Sequence, residues 1–100
     1  MLTFEKILQV FDDILKQDPL YEVVQTSHGY TLLAWQPSRS QWYSAELLET
    51  PEAMLDALLN TYSGYLENKI TQGERDDLTP QEQKEVEIQC RQLRKKCLAD

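Results

Sequence analysis

The sequence predicts a single α+β domain in which a three-stranded antiparallel meander carries two helices on one face. Three observations predict this fold: an apolar stripe with helical spacing opens the chain, three short runs rich in β-branched and aromatic residues follow, and two Thr-Pro pairs each begin a further amphipathic segment. The element order is therefore α-β-β-β-α-α. Because 100 residues suffice for one hydrophobic core, we expect one domain over residues 1–100, with residues 1–72 as its α-β-β-β-α core. The C-terminal helix, residues 80–98, follows a charged linker and is expected on the other face of the sheet or extending to a partner.

The first predicted element is a helix from Thr3 to Lys16. Its apolar residues recur every three or four positions and form one stripe: Phe4, Ile7, Leu8, Phe11, Ile14 and Leu15. Thr3 is suited to the N-cap. Asp18-Pro19 ends the helix, because the residue before a proline is pushed out of helical geometry.

Three strands are predicted next, over Tyr21–Thr26, Tyr30–Gln36 and Gln41–Leu48. Two short polar turns separate them, and Gly29 in the first turn is free to take a positive φ. Connections this short join antiparallel neighbours, so the three strands form a meander.

Two helices complete the chain, over Pro51–Gln72 and Pro80–Leu98. Thr50 and Thr79 each precede a proline, which places threonine at the N-cap and proline at the first helical position. Glu82, three residues after Thr79, predicts a capping box, and Gly73 is the expected stop of the earlier helix.

Alternation of side chains along each strand assigns two faces to the predicted sheet. The face under the first two helices is expected to hold seven residues: Tyr21, Val23, Leu32, Ala34, Tyr43, Ala45 and Leu47. The opposite face then holds Val24, Leu33, Trp35 and Trp42, with the two tryptophans as neighbours across the hairpin. The inverted assignment stays open, and it would bury both tryptophans in the main core.

An apolar sheet face with two tryptophans is unusual on a monomer. The sequence allows three occupants of this face: the third helix, a second copy of the chain in a homodimer, or another protein. Tryptophan and arginine are common anchors of protein interfaces. Leu33, Trp35 and Trp42, with Arg39 at the tip of the turn, are therefore candidate partner-binding residues.

The chain has a net charge of −7, and its acids are concentrated before the last helix. Residues 1–79 hold five Lys/Arg and thirteen Asp/Glu, a net of −8, whereas residues 80–100 hold five and four. Direct nucleic-acid binding is not expected, since it needs a basic surface, and an acidic surface suits a basic protein partner. Glu46, Glu49 and Glu52, near Asp56, gather where the third strand meets the second helix, and these three glutamates are further candidate partner-binding residues.

The sequence holds no recognisable set of catalytic, cofactor-binding or metal-binding residues. His28, the one histidine, lies in a turn without a cysteine or an acid at ligand spacing. Cys90 and Cys97 lack the second pair of a zinc site, and the three glycines form no phosphate-binding loop. We therefore expect neither enzymatic activity nor a bound cofactor or metal.

A cytoplasmic location is expected from the cysteines and from the N-terminus. Cys90 and Cys97 lie seven residues apart in one predicted helix, about 10.5 Å along its axis, whereas a disulfide needs Cα atoms within about 7 Å. Reduced thiols are typical of the cytosol. The N-terminus lacks the basic start and the apolar block of a signal peptide, and no segment is apolar enough to be a membrane span.

The order α-β-β-β-α resembles the double-stranded RNA-binding domain. That family contacts phosphates with lysines at the start of its second helix, and the matching segment here, TPEAMLDALL, has Glu52 and Asp56 at those positions. The resemblance therefore implies the element order and not RNA binding.

In size, charge and layout, the chain also resembles small acidic proteins of phages and mobile elements, including inhibitors of CRISPR nucleases. Those proteins use acidic faces to occupy a nucleic-acid channel. The residues themselves favour a non-enzymatic protein–protein interaction domain of unknown pathway, and this resemblance implies an acidic inhibitor or nucleic-acid mimic as the alternative.

Overall fold

A computed structural model describes residues 1–72, 74–75 and 77–99 of the chain. It contains six elements in the predicted order: helix α1 (Phe4–Gln17), strands β1 (Tyr21–Thr26), β2 (Gly29–Gln36) and β3 (Gln41–Leu48), and helices α2 (Pro51–Thr71) and α3 (Pro80–Leu98). The α+β fold class is confirmed, and each boundary lies within one residue of its predicted position.

All three helices begin at threonine caps, as the sequence predicts. The side-chain oxygens of Thr3, Thr50 and Thr79 accept hydrogen bonds from the backbone N–H three residues further on, at 3.1, 3.0 and 3.2 Å. The capping box of α3 is complete, because the carboxylate of Glu82 accepts the N–H of Thr79 at 2.9 Å. These bonds satisfy N–H groups that have no partner within the helix, and so they define where each helix starts.

Replacing Glu82 with glutamine is expected to destabilise the protein at neutral pH and to matter less in acid. Hydrogen bonds from Arg75 and then from the backbone of Thr79 lower the pKa of Glu82 from 4.5 to about 2. A carboxyl group with a depressed pKa stabilises the folded state above its unfolded pKa and loses that contribution as the pH falls towards its folded pKa. The stability difference between wild type and Glu82→Gln should therefore shrink between about pH 5 and about pH 2 in urea titrations. Glu85→Gln is the matched control on the same helix, and a difference that did not change with pH would contradict this role of Glu82.

Helix α2 ends at Thr71, where Gln72 takes the left-handed conformation with a φ of 54°. The backbone N–H of Gln72 donates to the carbonyl of Asn68 at 2.8 Å. The predicted stop, Gly73, lies outside the described residues, as does Asp76 of the predicted linker.

The strands form one antiparallel sheet in the order β1-β2-β3, so β1 and β3 are its edges. The turn Ser27-His28 joins β1 to β2, and Gly29 after it has a φ of 120°, as predicted. Residues 37–40 join β2 to β3, and Ser40 has a φ of 51°. The meander connectivity is therefore confirmed.

The three helices lie on one side of the sheet and share one core with it. This core joins buried residues of every helix to β2 and the end of β3: Ile7, Phe11, Met54, Leu55, Leu58, Leu59, Cys97, Leu32 and Leu48. The Cα atoms span 41 × 39 × 19 Å. A thickness of 19 Å fits two layers of secondary structure, one of helices and one of strands.

The sequence predicts helix α3 either on the other face of the sheet or extending to a partner. The helix does not lie on the other face of the sheet. It packs against α1 and α2 instead. Cys97 is fully buried in the common core, and the hydroxyl of Tyr62 on α2 donates to Gln89 at 3.0 Å. Because the apolar stripe of α3 packs against the other helices, α3 does not cover the opposite face of the sheet.

A bulge in β3 reverses the predicted alternation of its side chains. Ala34 pairs with Ser44, but the next residue of β2, Trp35, pairs with Trp42, which leaves Tyr43 as an extra residue on β3. One extra residue moves every later side chain of that strand to the other face.

The prediction that Ala45 and Leu47 lie under the helices is therefore wrong. Leu47 faces away from the helices and is 46% exposed, whereas the adjacent Leu48 is 2% exposed. Glu46 is the direct cross-strand partner of the buried Leu32, so it faces the helices instead. The predicted faces of β1 and β2 are confirmed.

Candidate protein-binding surface

The side of the sheet turned away from the helices carries an apolar surface, here called the open face. Its apolar members are Val24, Leu33, Trp35, Trp42, Ala45 and Leu47, and Glu22 and Thr31 lie on the same side. Across residues 1–72, 74–75 and 77–99, no helix packs on this face, since α1, α2 and α3 share the core on the other side. Of the three occupants considered from the sequence, the third helix is therefore excluded. The inverted assignment, with both tryptophans in the main core, is excluded as well.

Trp35 and Trp42 form a cross-strand pair, as predicted from their positions beside the turn. Their ring centroids lie 4.9 Å apart and their planes are inclined at 76°, a T-shaped arrangement. Such a pair contributes about 0.5–1.5 kcal/mol beyond the burial of its area. The contact also holds both indoles in place before any partner arrives, which reduces the conformational entropy lost on binding.

The two tryptophans are expected to differ in their access to a quencher in solution. Trp42 is 41% exposed, whereas Trp35 is half-buried between its neighbours. The variant Trp35→Phe retains the emission of Trp42, and Trp42→Phe retains that of Trp35. Acrylamide, which is neutral and so is not repelled by the acidic chain, should quench the first variant more strongly than the second. Equal and weak quenching of both would mean that the open face is covered in the isolated protein.

Arg39 lies in the β2–β3 turn, at the end of the open face that holds the tryptophans. Its backbone N–H donates to the carbonyl of Gln36 at 3.2 Å. Its guanidinium forms no ion pair with any described residue. The side chain is exposed and offers a planar donor that suits a carboxylate of a partner.

The three glutamates predicted as partner-binding residues do not lie on the open face. Glu46 faces the helices from β3, Glu49 follows β3, and Glu52 lies in the first turn of α2. All three are exposed, and none forms an ion pair within the described part of the chain. We call these residues the acidic edge. The predicted site residues therefore divide into two groups, one on each side of the sheet.

A groove of about 650 Å³ lies between the edge strand β3 and helix α2, here called the β3–α2 groove. Its walls are formed by Tyr43, Ser44 and Glu46 from β3 and by Ala53, Asp56, Ala57 and Asn60 from α2. Asp56 accepts a hydrogen bond from the guanidinium of Arg94 at 3.0 Å, which leaves Glu46 as the groove carboxylate without an ion pair among the described residues. At the floor, burial and the neighbouring hydroxyl of Tyr43 raise the pKa of Tyr21, so its hydroxyl stays protonated at neutral pH.

His28, Cys90 and Cys97 are the remaining candidates for catalysis or metal binding. His28 is exposed in the β1–β2 turn. Cys90 and Cys97 are free, and burial raises the pKa of both thiols, which makes them weaker nucleophiles at neutral pH. Within the described ranges, no group of three His, Cys, Asp or Glu side chains could hold a metal ion.

Sequence reasoning missed two residues of the open face, Ala45 and Leu47, and also the β3–α2 groove. The bulge at Tyr43 is marked by neither glycine nor proline. The adjacent pair Leu47-Leu48 was the available signal, because two consecutive strand residues cannot both face the core. Choosing between them requires the register of β3 on β2.

The fold and these surfaces define a small α+β domain with an uncovered apolar sheet face and an acidic groove beside one edge strand. Among the residues that the structure describes, no helix has the length and hydrophobicity to cross a membrane. Comparison of the chain with protein-family models, with curated proteins and with solved structures found no match. Function is therefore inferred from the surfaces of this chain.

Proposed function

We propose that this chain is a non-enzymatic protein–protein interaction domain that binds another protein through its open face. The observation that supports this function is the exposure of Trp42 and Leu47, at 41% and 46%, on the same side of the sheet as Leu33 and Trp35. Burying such a surface against a partner is favourable, and tryptophan is among the residues that contribute most to binding energy in interfaces. The free thiols favour a reducing compartment such as the cytoplasm.

Two variants with matched exposure test this function. Leu47 on the open face and Ile88 on α3 are 46% and 47% exposed, so an aspartate replaces an equally exposed aliphatic side chain at either position. Full-length protein carrying Leu47→Asp should fail to capture, from extracts of its source cells, a protein that wild type and Ile88→Asp both capture. Retention of every captured protein by Leu47→Asp would contradict binding through the open face.

A second candidate function is binding of a basic protein by the acidic edge, as expected for an inhibitor or nucleic-acid mimic. It is supported by the exposed positions of Glu46, Glu49 and Glu52 and by their lack of ion pairs among the described residues. The two functions differ in their dependence on salt. Binding by the acidic edge alone should weaken steeply as salt rises, whereas binding that also buries the apolar open face should weaken less.

A further inference from the structure

Strand β3 has an unpaired edge, and we propose that this edge accepts an extended segment of a basic protein as a fourth strand of the sheet. The inference rests on the proposed function, because it specifies what a partner bound at the open face contributes. The strand order places β3 outermost, and seven of its eight residues are exposed. The backbone N–H and C=O groups of an outermost strand that point away from the sheet can pair with an added chain.

The β3–α2 groove lies on the helix side of the position that an added strand would occupy. On this side α2 presents short side chains, those of Ala53, Ala57 and Asn60, and they leave a volume of about 650 Å³. Long side chains projecting from a fourth strand would enter this space. Asp56 already pairs with Arg94. The carboxylate of Glu46 favours a positively charged end on such a side chain.

The other face of an added strand continues the open face. Successive side chains of a strand point to opposite faces, so every second residue of the added segment would lie beside Trp42, Ala45 and Leu47. These neighbours favour apolar side chains. The chemistry of the two sides together specifies an extended segment in which apolar residues alternate with lysine or arginine.

A second copy of this chain is a poor occupant of the same edge. Each copy has a net charge of −7, and self-pairing of β3 would add another Glu46 to a groove that is already acidic. A bulge and a charged residue that faces the helices are features that discourage edge strands from pairing with themselves. Strand β3 has both features, the bulge at Tyr43 and the charged side chain of Glu46. A basic segment would complement the charge of Glu46.

The edge β1 fits such a segment less well. It has six residues rather than eight, and the groove beside it is about 310 Å³.

A synthetic peptide of about ten residues that alternates valine and lysine tests the inference, since its length covers β3. Titrated into the isotope-labelled full-length protein up to about 1 mM, it should shift the amide resonances of residues 41–48 first. A peptide with the same composition in two blocks, valines then lysines, should bind at least about tenfold more weakly, and an alternating valine–glutamate peptide should not bind. Equal binding of the block peptide, or no shift in β3 with the alternating peptide, would overturn the proposal.

N-methylation of the peptide distinguishes strand pairing from general charge attraction. The backbone N–H groups of an added strand point alternately towards β3 and away from it. Methylation of every N–H that points towards β3 should abolish binding, whereas methylation of those that point away should be tolerated. Glu46→Gln should weaken binding several-fold, and the matched control Glu85→Gln on α3 should not. Equal tolerance of both methylated sets would show that the peptide does not pair with β3.

The outcomes also separate this inference from the proposed function. If Leu47→Asp loses its partner while the alternating peptide leaves β3 unshifted, the open face binds a protein and strand addition is wrong. If the peptide pairs with β3 but Leu47→Asp retains every partner, strand addition is supported and the proposed function is wrong. Light scattering should give the mass of one chain, 11.7 kDa, and a dimer that the peptide failed to dissociate would assign the edge to a second copy instead.

Discussion

Replacing Leu48 with alanine is expected to lower the free energy of unfolding by about 2–5 kcal/mol, whereas Leu47→Ala is expected to cost about 0.5 kcal/mol. The two leucines are consecutive in β3, so both variants remove the same atoms and change strand propensity alike. They differ in environment. Leu48 is 2% exposed and belongs to the core with Leu32 and Met54, and Leu47 is 46% exposed on the open face.

Urea denaturation followed by far-ultraviolet circular dichroism measures this difference directly. A domain of 100 residues has a stability of about 5–15 kcal/mol, so the loss at Leu48 is a large fraction of the total and remains measurable. Similar losses for both variants would mean that the open face is buried in solution. A larger loss at Leu47 would mean that β3 has no bulge and that its faces follow the simple alternation expected from the sequence.

Replacing Trp42 with alanine is expected to weaken binding of the partner captured by wild type at least about 30-fold. This factor corresponds to about 2 kcal/mol, the lower limit for residues that dominate an interface. Trp42 is the more exposed member of the tryptophan pair, and the T-shaped contact with Trp35 already holds its ring. A partner therefore gains a large apolar contact without ordering a mobile side chain.

The partner affinity should be measured by calorimetry for wild type, Trp42→Ala and the control Ile88→Ala. Loss of the contact with Trp35 costs about 0.5–1.5 kcal/mol beyond the cost of the ring's buried area, so circular dichroism is used to verify that each variant is folded. Unchanged affinity of Trp42→Ala would contradict binding through the open face. An equal loss in Ile88→Ala would place the binding surface on α3 instead.

The elements of this fold could be predicted because local features encode each of them. Thr3, Thr50 and Thr79 have the hydroxyl that an N-cap needs, and each begins its helix as predicted. Gly29 supplies the positive φ of the first turn. The tryptophan pair was predictable for the same reason, since a short turn brings the residues on either side of it together.

The position of α3 was not predictable in this way. Its apolar stripe includes Val86, Cys90 and Cys97, and such a stripe could pack on a sheet or on other helices with similar gain. The choice depends on the seam between α1 and α2, where Cys97 becomes fully buried. No local feature of the sequence describes that seam.

The sequence by itself determined the six elements, their caps and turns, and the pairing of Trp35 with Trp42, because these depend on residues close together in the chain. The tertiary structure alone decided which of Leu47 and Leu48 enters the core and which side of the sheet α3 leaves open. Both depend on contacts between distant segments. The pairing of Ala34 with Ser44 and of Trp35 with Trp42 leaves Tyr43 unpaired, and that single extra residue turns Glu46 towards the helices and Leu47 to the open face.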